Sequence, residues 1–201
     1  MIIMKKLDIK NSINPNFIGI YNIENNLLCE NIINFFEENK NLQSQGAVGE
    51  GVDEKIKKST DITIYPYNLS ENKFSLFKDY LNLLNKCYKD YRETYPFLKK
   101  FIKKVDLGYF NIQRYLPGGH FAELHSERTS LQNLHRLFAW MTYLNDVDDG
   151  GTTDFDYFGI KIKPEIGKTM IWPAEWTHAH TGSILKTGKK YIITGWMHFG
   201  I

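Results

Sequence analysis

The chain has 201 residues, enough for one domain with a single sizeable core, and its 42% hydrophobic and 14% aromatic content excludes a disordered chain. Lysine and arginine number 25 against 23 acidic residues, a net charge of +2 that leaves no electrostatic footprint for nucleic acid or an anionic membrane. Cys29 and Cys87 are too few for a disulfide framework or a thiolate metal site, and no run approaches the roughly 20 apolar residues of a membrane span.

The opening "MIIMKKLDIK" has only a short apolar run before its lysines, unlike a signal peptide, so a cytoplasmic location is expected. Next, "LLCENIINFFEEN" puts Leu28, Ile32, Phe35 and Phe36 on one stripe at helical spacing. "QSQGAVGEGVDEKIKK" reads as a loop, and its Gly46–Gly51 part is either a lid or a plain connector. "TDITIY" reads as a short strand. "SENKFSLFKDYLNLLNKCYKDYRETYP" predicts a second helix with Ser70 as N-cap, Phe74, Phe77, Leu81, Leu84 and Tyr88 on one face, and a stop before Pro96.

After Lys104 the pattern changes to short β-branched and aromatic runs: "LGYFNIQRY", "RLFAWMTYL", "TDFDYF", "IKIKP", "KTMIWP" and "KKYIITGWMHF". "PGG", "DVDDGG" and "TGKK" punctuate them as turns. Such spacing predicts a β-sandwich or barrel with helices packed on one outer face. The expected organisation is one domain over residues 1–201. Residues 1–104 form a helical support region with a short strand, and 105–201 form the β core.

Within "HFAELHSER", His125 and Glu127 are two residues apart, so in an extended segment both side chains point to one side. An imidazole and a carboxylate there suit Fe(II), Mn(II) or Zn(II). Taken alone, His-x-Glu also describes a polar strand end. "WPAEWTHAHTG" offers His178 and His180 as a further ligand, which would complete the two-histidine, one-carboxylate set of non-haem iron oxygenases. Lys190 by itself reads as a solvated turn lysine, and His120, His135 and His198 read as polar groups without metal.

Four ordered motifs, "RYLPGGHFAELHSE", "RLFAWMTYLNDVDDGGTTDF", "IKPEIGKTMIWP" and "HTGSILKTGKKYIITGW", resemble the 2-oxoglutarate/Fe(II)-dependent dioxygenases of the prolyl 4-hydroxylase-like branch. The resemblance covers roughly residues 105 to 199. It implies a double-stranded β-helix (jelly-roll, cupin-like) core, mainly β, with N-terminal helices packed on one sheet. It assigns His125, Glu127 and His180 to Fe(II), because the family's last ligand lies in His-x-Gly. His178 becomes an outer or surface histidine. About ten residues on, the family has a basic residue for the distal carboxylate of 2-oxoglutarate, which is Lys190 here.

By the same resemblance Tyr143, Tyr115 and Trp196 line the cosubstrate pocket. Lys190, Ile192, Thr194 and Trp196 should then face inward, with Tyr191, Ile193, Met197 and Phe199 against helices. Ala139, Met141 and Tyr143 should likewise face inward, and Phe138 and Trp140 outward. The family mostly carries His-x-Asp, and this chain has Glu127 instead. The implied reaction consumes 2-oxoglutarate and O2, allows ascorbate, releases succinate and CO2, and hydroxylates a peptide or small molecule without nucleic acid or membrane. The competing classes are a non-catalytic binding protein and a differently metallated cupin-like enzyme. Nothing in the sequence sets an oligomeric state.

Overall fold

The helices form where the apolar stripes lie. In the computed structural model, which describes residues 5–6, 15–49 and 51–200, α1 (Asn26–Glu38) buries Leu28, Cys29, Ile32, Phe35 and Phe36. The Asn25 side chain caps it by accepting the Leu28 N–H at 3.1 Å. The opening "MIIMKKLDIK", apart from Lys5–Lys6, lies outside the described residues. The second helix, α2 (Ser75–Thr94), buries Phe77, Tyr80, Leu84, Cys87 and Tyr91 at alternating steps of three and four.

Ser70 does not cap α2. Two 3-10 turns, Pro66–Ser70 and Asn72–Phe74, precede the helix, and the Ser70 hydroxyl donates back to the Tyr67 carbonyl at 2.8 Å. Pro96 ends α2 as expected but then opens α3 (Pro96–Phe101), since a proline lacks only an N–H that a first turn leaves unpaired.

The strands in chain order are β1 (Lys5–Lys6), β2 (Gly19–Asn22), β3 (Ser44–Gln45), β4 (Lys57–Lys58), β5 (Thr60–Ile64), β6 (Val105–Tyr115) and β7 (His120–His125). They continue as β8 (Arg136–Tyr143), β9 (Thr153–Phe155), β10 (Ile160–Ile162), β11 (Lys168–Pro173), β12 (His180–Gly182) and β13 (Lys190–Phe199). One antiparallel sheet has the order β1-β2-β11-β8-β13-β6-β5-β3, and the other β10-β9-β12-β7-β4. Tyr115, Met141, Met170 and Ile192 from the large sheet meet Phe155, Ile160 and Ile162 from the small one in a single cluster. This interior between two antiparallel sheets is the double-stranded β-helix architecture that the family resemblance implied.

Alternation along the strands sorts the faces. Ala139, Met141 and Tyr143 point into that interior, whereas Phe138 and Trp140 join α1 and α2 in a second core on the outer face of the large sheet. Tyr191, Ile193 and Met197 follow them. Phe199 does not. A register shift between Met197 and His198 turns the strand end, and Phe199 is left 47% exposed. At Gly195 the outward slot is already filled, because a Cβ there would lie 2.8 Å from the Trp140 ring and from Phe110.

Three further features differ from the sequence reading. "TDFDYF" is strand only through Phe155 and then a 3-10 turn closed by Gly159 at φ 62°. The polar strands β7 and β12 have no apolar run to announce them. β2 and β5, from before residue 104, pair with β11 and β6 in the large sheet.

Across Gly46–Gly51, of which Glu50 lies outside the described residues, Val48 and Gly51 exchange backbone hydrogen bonds of 2.8 and 3.2 Å. Among the described residues no helix is long and apolar enough to cross a membrane.

The two cores meet through the large sheet, so its outer packing should govern stability. Phe77 is fully buried, with its ring 5.0 Å from Phe35 and 5.7 Å from Phe110. Phe77→Ala should lower unfolding free energy by about 3–5 kcal/mol, read by urea denaturation.

Candidate metal and cosubstrate site

Strand register builds the candidate metal site. β12 pairs antiparallel with β7 so that His180 lies directly opposite His125, and Glu127 follows two residues beyond the end of β7. One ligand atom from each of His125, Glu127 and His180 lies within 4.8 Å of the other two. The His125 Nδ1 is 2.8 Å from the Glu123 carbonyl, and the His180 Nδ1 is 2.9 Å from the His178 carbonyl. A carbonyl only accepts, so both Nδ1 atoms carry the proton, and both Nε2 lone pairs are free for an ion.

Aromatic rings fix the imidazoles. Phe121 stacks on His125 with centroids 3.7 Å apart, and Phe155 and Trp172 lie 5.3 and 5.2 Å from His180. Burial and the neighbouring His125 lower His180 to about 4, which keeps its ring neutral at pH 7. His178 stays outside the cluster. Its Nε2 is 2.8 Å from the Asn16 carbonyl and its Nδ1 3.0 Å from the Thr177 hydroxyl, so both nitrogens are engaged.

The Glu127 oxygens face different partners. Oε1 is 3.5 Å from the His180 Nε2, whereas Oε2 accepts the Trp196 indole N–H at 2.6 Å. Trp196 is therefore next to the carboxylate. The Arg136 guanidinium lies 3.7 Å over the Trp196 ring, and Arg136 also donates to the Glu127 carbonyl at 3.1 Å. Sequence reasoning missed Arg136, because an arginine heading a strand gives no pattern that separates it from any other.

Lys190 and Tyr115 are cross-strand partners, and the buried Lys190 ammonium stands 4.3 Å over the Tyr115 ring. Its one hydrogen bond among the described residues goes to the Gly151 carbonyl at 3.0 Å. Gly151 has φ 68° in a two-glycine turn, a conformation that favours glycine. Burial lowers Lys190 to about 8, with Asp154 opposing the shift.

Tyr143 is fully buried in the same interior, its hydroxyl 2.6 Å from Thr153 Oγ1 and 3.2 Å from the Ile162 carbonyl. Tyr115 donates to Gln113 at 2.7 Å. Gln113 in turn bonds Asp61, which pairs with the buried Lys57 at 2.6 Å. Burial raises both tyrosine pKa values, so both hydroxyls stay protonated donors.

These residues fit Fe(II) and 2-oxoglutarate. The donor set is two neutral imidazoles and one carboxylate. A buried ammonium with a single carbonyl partner has unused donors for a carboxylate, as does the Trp172 Nε1, which has no acceptor among the described residues.

Residues 110–198 match the family model of the 2OG-Fe(II) oxygenase superfamily. Over these residues, fewer than half of the chain, the sequence is similar to that superfamily. Among curated sequences it is 25% identical over 71 residues to prolyl 4-hydroxylase subunit alpha-1 of Gallus gallus, a match covering 32% of this chain and 14% of that protein. The chain thus spans a small part of that relative's length.

Among solved structures, the viral collagen prolyl hydroxylase of Paramecium Bursaria Chlorella virus-1, in its 2OG complex, aligns over 98% of this chain and 96% of its own, with TM-score 0.63 and 18% identity. A prolyl hydroxylase from Trichoplax adhaerens, bound to a hypoxia inducible factor peptide fragment, aligns over 92% of this chain and 84% of its own, with TM-score 0.69 and 16% identity. Both share the double-stranded β-helix fold with this chain.

The geometry separates the two neighbouring histidines. His180→Ala should weaken Fe(II) binding by more than about 100-fold, beyond the usual cost of an outer-shell change, whereas His178→Ala should retain iron. Iron per protein after anaerobic reconstitution and desalting checks both.

Proposed function

We propose that this protein is an Fe(II)- and 2-oxoglutarate-dependent oxygenase that hydroxylates a C–H bond, with peptidyl proline as the leading substrate class and succinate and CO2 as co-products. One observation carries this reading: His180 of the three convergent ligands packs on Phe155, and the buried, under-bonded Lys190 stands over Tyr115, both rings of one interior cluster. Iron carrying 2-oxoglutarate supplies the oxygen activation. His125, Glu127 and His180 would hold the ion through two imidazole nitrogens and a carboxylate oxygen. Lys190 would meet the distal carboxylate with a charge-assisted hydrogen bond, with Tyr143 and Tyr115 walling the pocket beside it.

The surface supports a peptide. Tyr67 and Tyr65 stack at 5.4 Å, Tyr65 reaches Tyr109 at 5.9 Å, and Tyr109 reaches Trp196 at 5.4 Å. All three tyrosines are exposed, forming an aromatic strip of the kind that docks extended proline-containing segments. We further propose a cytoplasmic location, which suits two free, buried cysteines whose thiols burial pushes up to about 12.

Anaerobic addition of Fe(II) and 2-oxoglutarate should produce a weak visible charge-transfer band. In air, with and without ascorbate, succinate should form, and members of a proline-containing peptide library should gain the mass of one oxygen. Absence of both band and succinate would remove the oxygenase reading. Succinate without modified peptide would point to a small-molecule substrate.

Lys190 adds a pH signature. Its folded value of about 8 lies below the ordinary lysine value of 10.5, so between the two the unfolded chain binds the proton and the folded chain does not. Stability of the free protein therefore gains from this group as pH rises through that window. Binding of a dicarboxylate needs the ammonium and runs the opposite way. Affinity for 2-oxoglutarate should be flat below about pH 8 and fall by up to about tenfold per pH unit above it. Lys190→Ala should weaken binding by about 10- to 100-fold and flatten the profile, measured by anaerobic titration calorimetry.

A further inference from the structure

Glutamate at position 127 has one more rotatable bond than the aspartate usual at this place, so its carboxylate is free to swing. A swinging carboxylate can close on an ion through both oxygens and occupy a position that oxygen chemistry needs open. The surroundings oppose this. Oε2 is engaged by the Trp196 N–H at 2.6 Å, and only Oε1 is turned toward the His180 Nε2.

Arg136 holds both ends of the arrangement. It donates to the Glu127 carbonyl at 3.1 Å and brings NH1 to 3.9 Å from Oε2. Its guanidinium over the indole face, 3.7 Å from the ring centroid, draws electron density from the ring and makes the N–H a stronger donor. Tyr109 packs edge-on against the same indole with centroids 5.4 Å apart, so the indole cannot rotate away without losing both contacts.

We propose that Trp196, backed by Arg136, is a positioning residue that fixes Glu127 as a one-oxygen ligand. The pair thereby offsets the extra methylene and makes glutamate serviceable where aspartate is usual. This rests on the reading of His125, Glu127 and His180 as metal ligands. It assigns Trp196 to the metal carboxylate through its N–H, whatever its ring also offers to cosubstrate.

The test uses Co(II) as an air-stable probe on the full chain, with dissociation constants from titration and coordination geometry from visible absorption. Trp196→Phe keeps a ring under Arg136 and removes only the N–H. It should weaken Co(II) binding by about 10- to 100-fold and shift the absorption toward a different coordination number, while the melting temperature verifies folding. Arg136→Gln, which leaves the indole in place, should move both readouts less far in the same direction.

Glu127→Asp shortens the carboxylate beyond the reach of the indole. In that background, adding Trp196→Phe should change affinity by less than about threefold. The proposal is overturned if Trp196→Phe leaves affinity and absorption as in the parent, or if its effect is equal in both backgrounds. Glu127→Ala separates the two levels: if it leaves Co(II) affinity unchanged, the metal-site reading fails as well. If it abolishes binding while Trp196→Phe does nothing, only the positioning role fails.

Discussion

The cross-strand pairing of His180 with His125 is the constraint on which the rest of the molecule turns. Side chains on a strand alternate faces, so a slip of one residue between β7 and β12 would send one imidazole to the outside. Register is therefore equivalent to site assembly here. It is held from both sides, because β12 also pairs with β9, which sets His180 against Phe155, and β4 pairs with β7 at Phe121. The same rings that fix the register, Phe121 and Phe155, pack on the two imidazoles.

The helices contribute rigidity more than chemistry. A chain of hydroxyls runs from Tyr80 on α2 to Thr142 on β8 and Thr169 on β11, each link 2.7 Å, and ties the outer helix to the centre of the large sheet. Inside that sheet Met141 and Tyr143 line the interior on either side of Thr142. A pocket that must hold a small dicarboxylate benefits from walls whose rotamers are locked by packing behind them. Glu37 on α1 also reaches through to β13 and β6, accepting from Tyr191 at 2.6 Å and pairing with Arg114 at 2.9 Å.

Charge is placed sparingly in this interior. A buried ammonium is costly unless paired, and Lys190 has one carbonyl, one aromatic face and the nearby Asp154 to stabilise it. That leaves the lysine poised, with the charged form favoured further by an incoming anion. Glu127 shows the complementary arrangement: a carboxylate partly buried beside an aromatic N–H and an arginine, with one oxygen left toward the histidines.

Much of this was legible in residue order. Period-2 alternation identified the inward faces of β8 and β13, helical stripes identified α1 and the core of α2, and the family resemblance singled out His125, Glu127 and His180, whose ligand atoms converge, and Lys190, which is buried. Legibility failed where local pattern carries no information. Ser70 looks like a cap but bonds back to Tyr67, and Phe199 falls on the helix-facing side of the alternation but follows a bulge. β7 and β12 are polar strands whose pairing comes entirely from their neighbours.

The sequence by itself determined which candidate ligand types are present and their spacing, because those depend on residue order and strand period alone. Only the tertiary structure decided that His178 is spent on Asn16, that Arg136 stacks on Trp196, and that the indole meets Glu127 across 69 positions of chain. Such contacts depend on strand order and register, which long-range pairing sets and no local window of sequence contains.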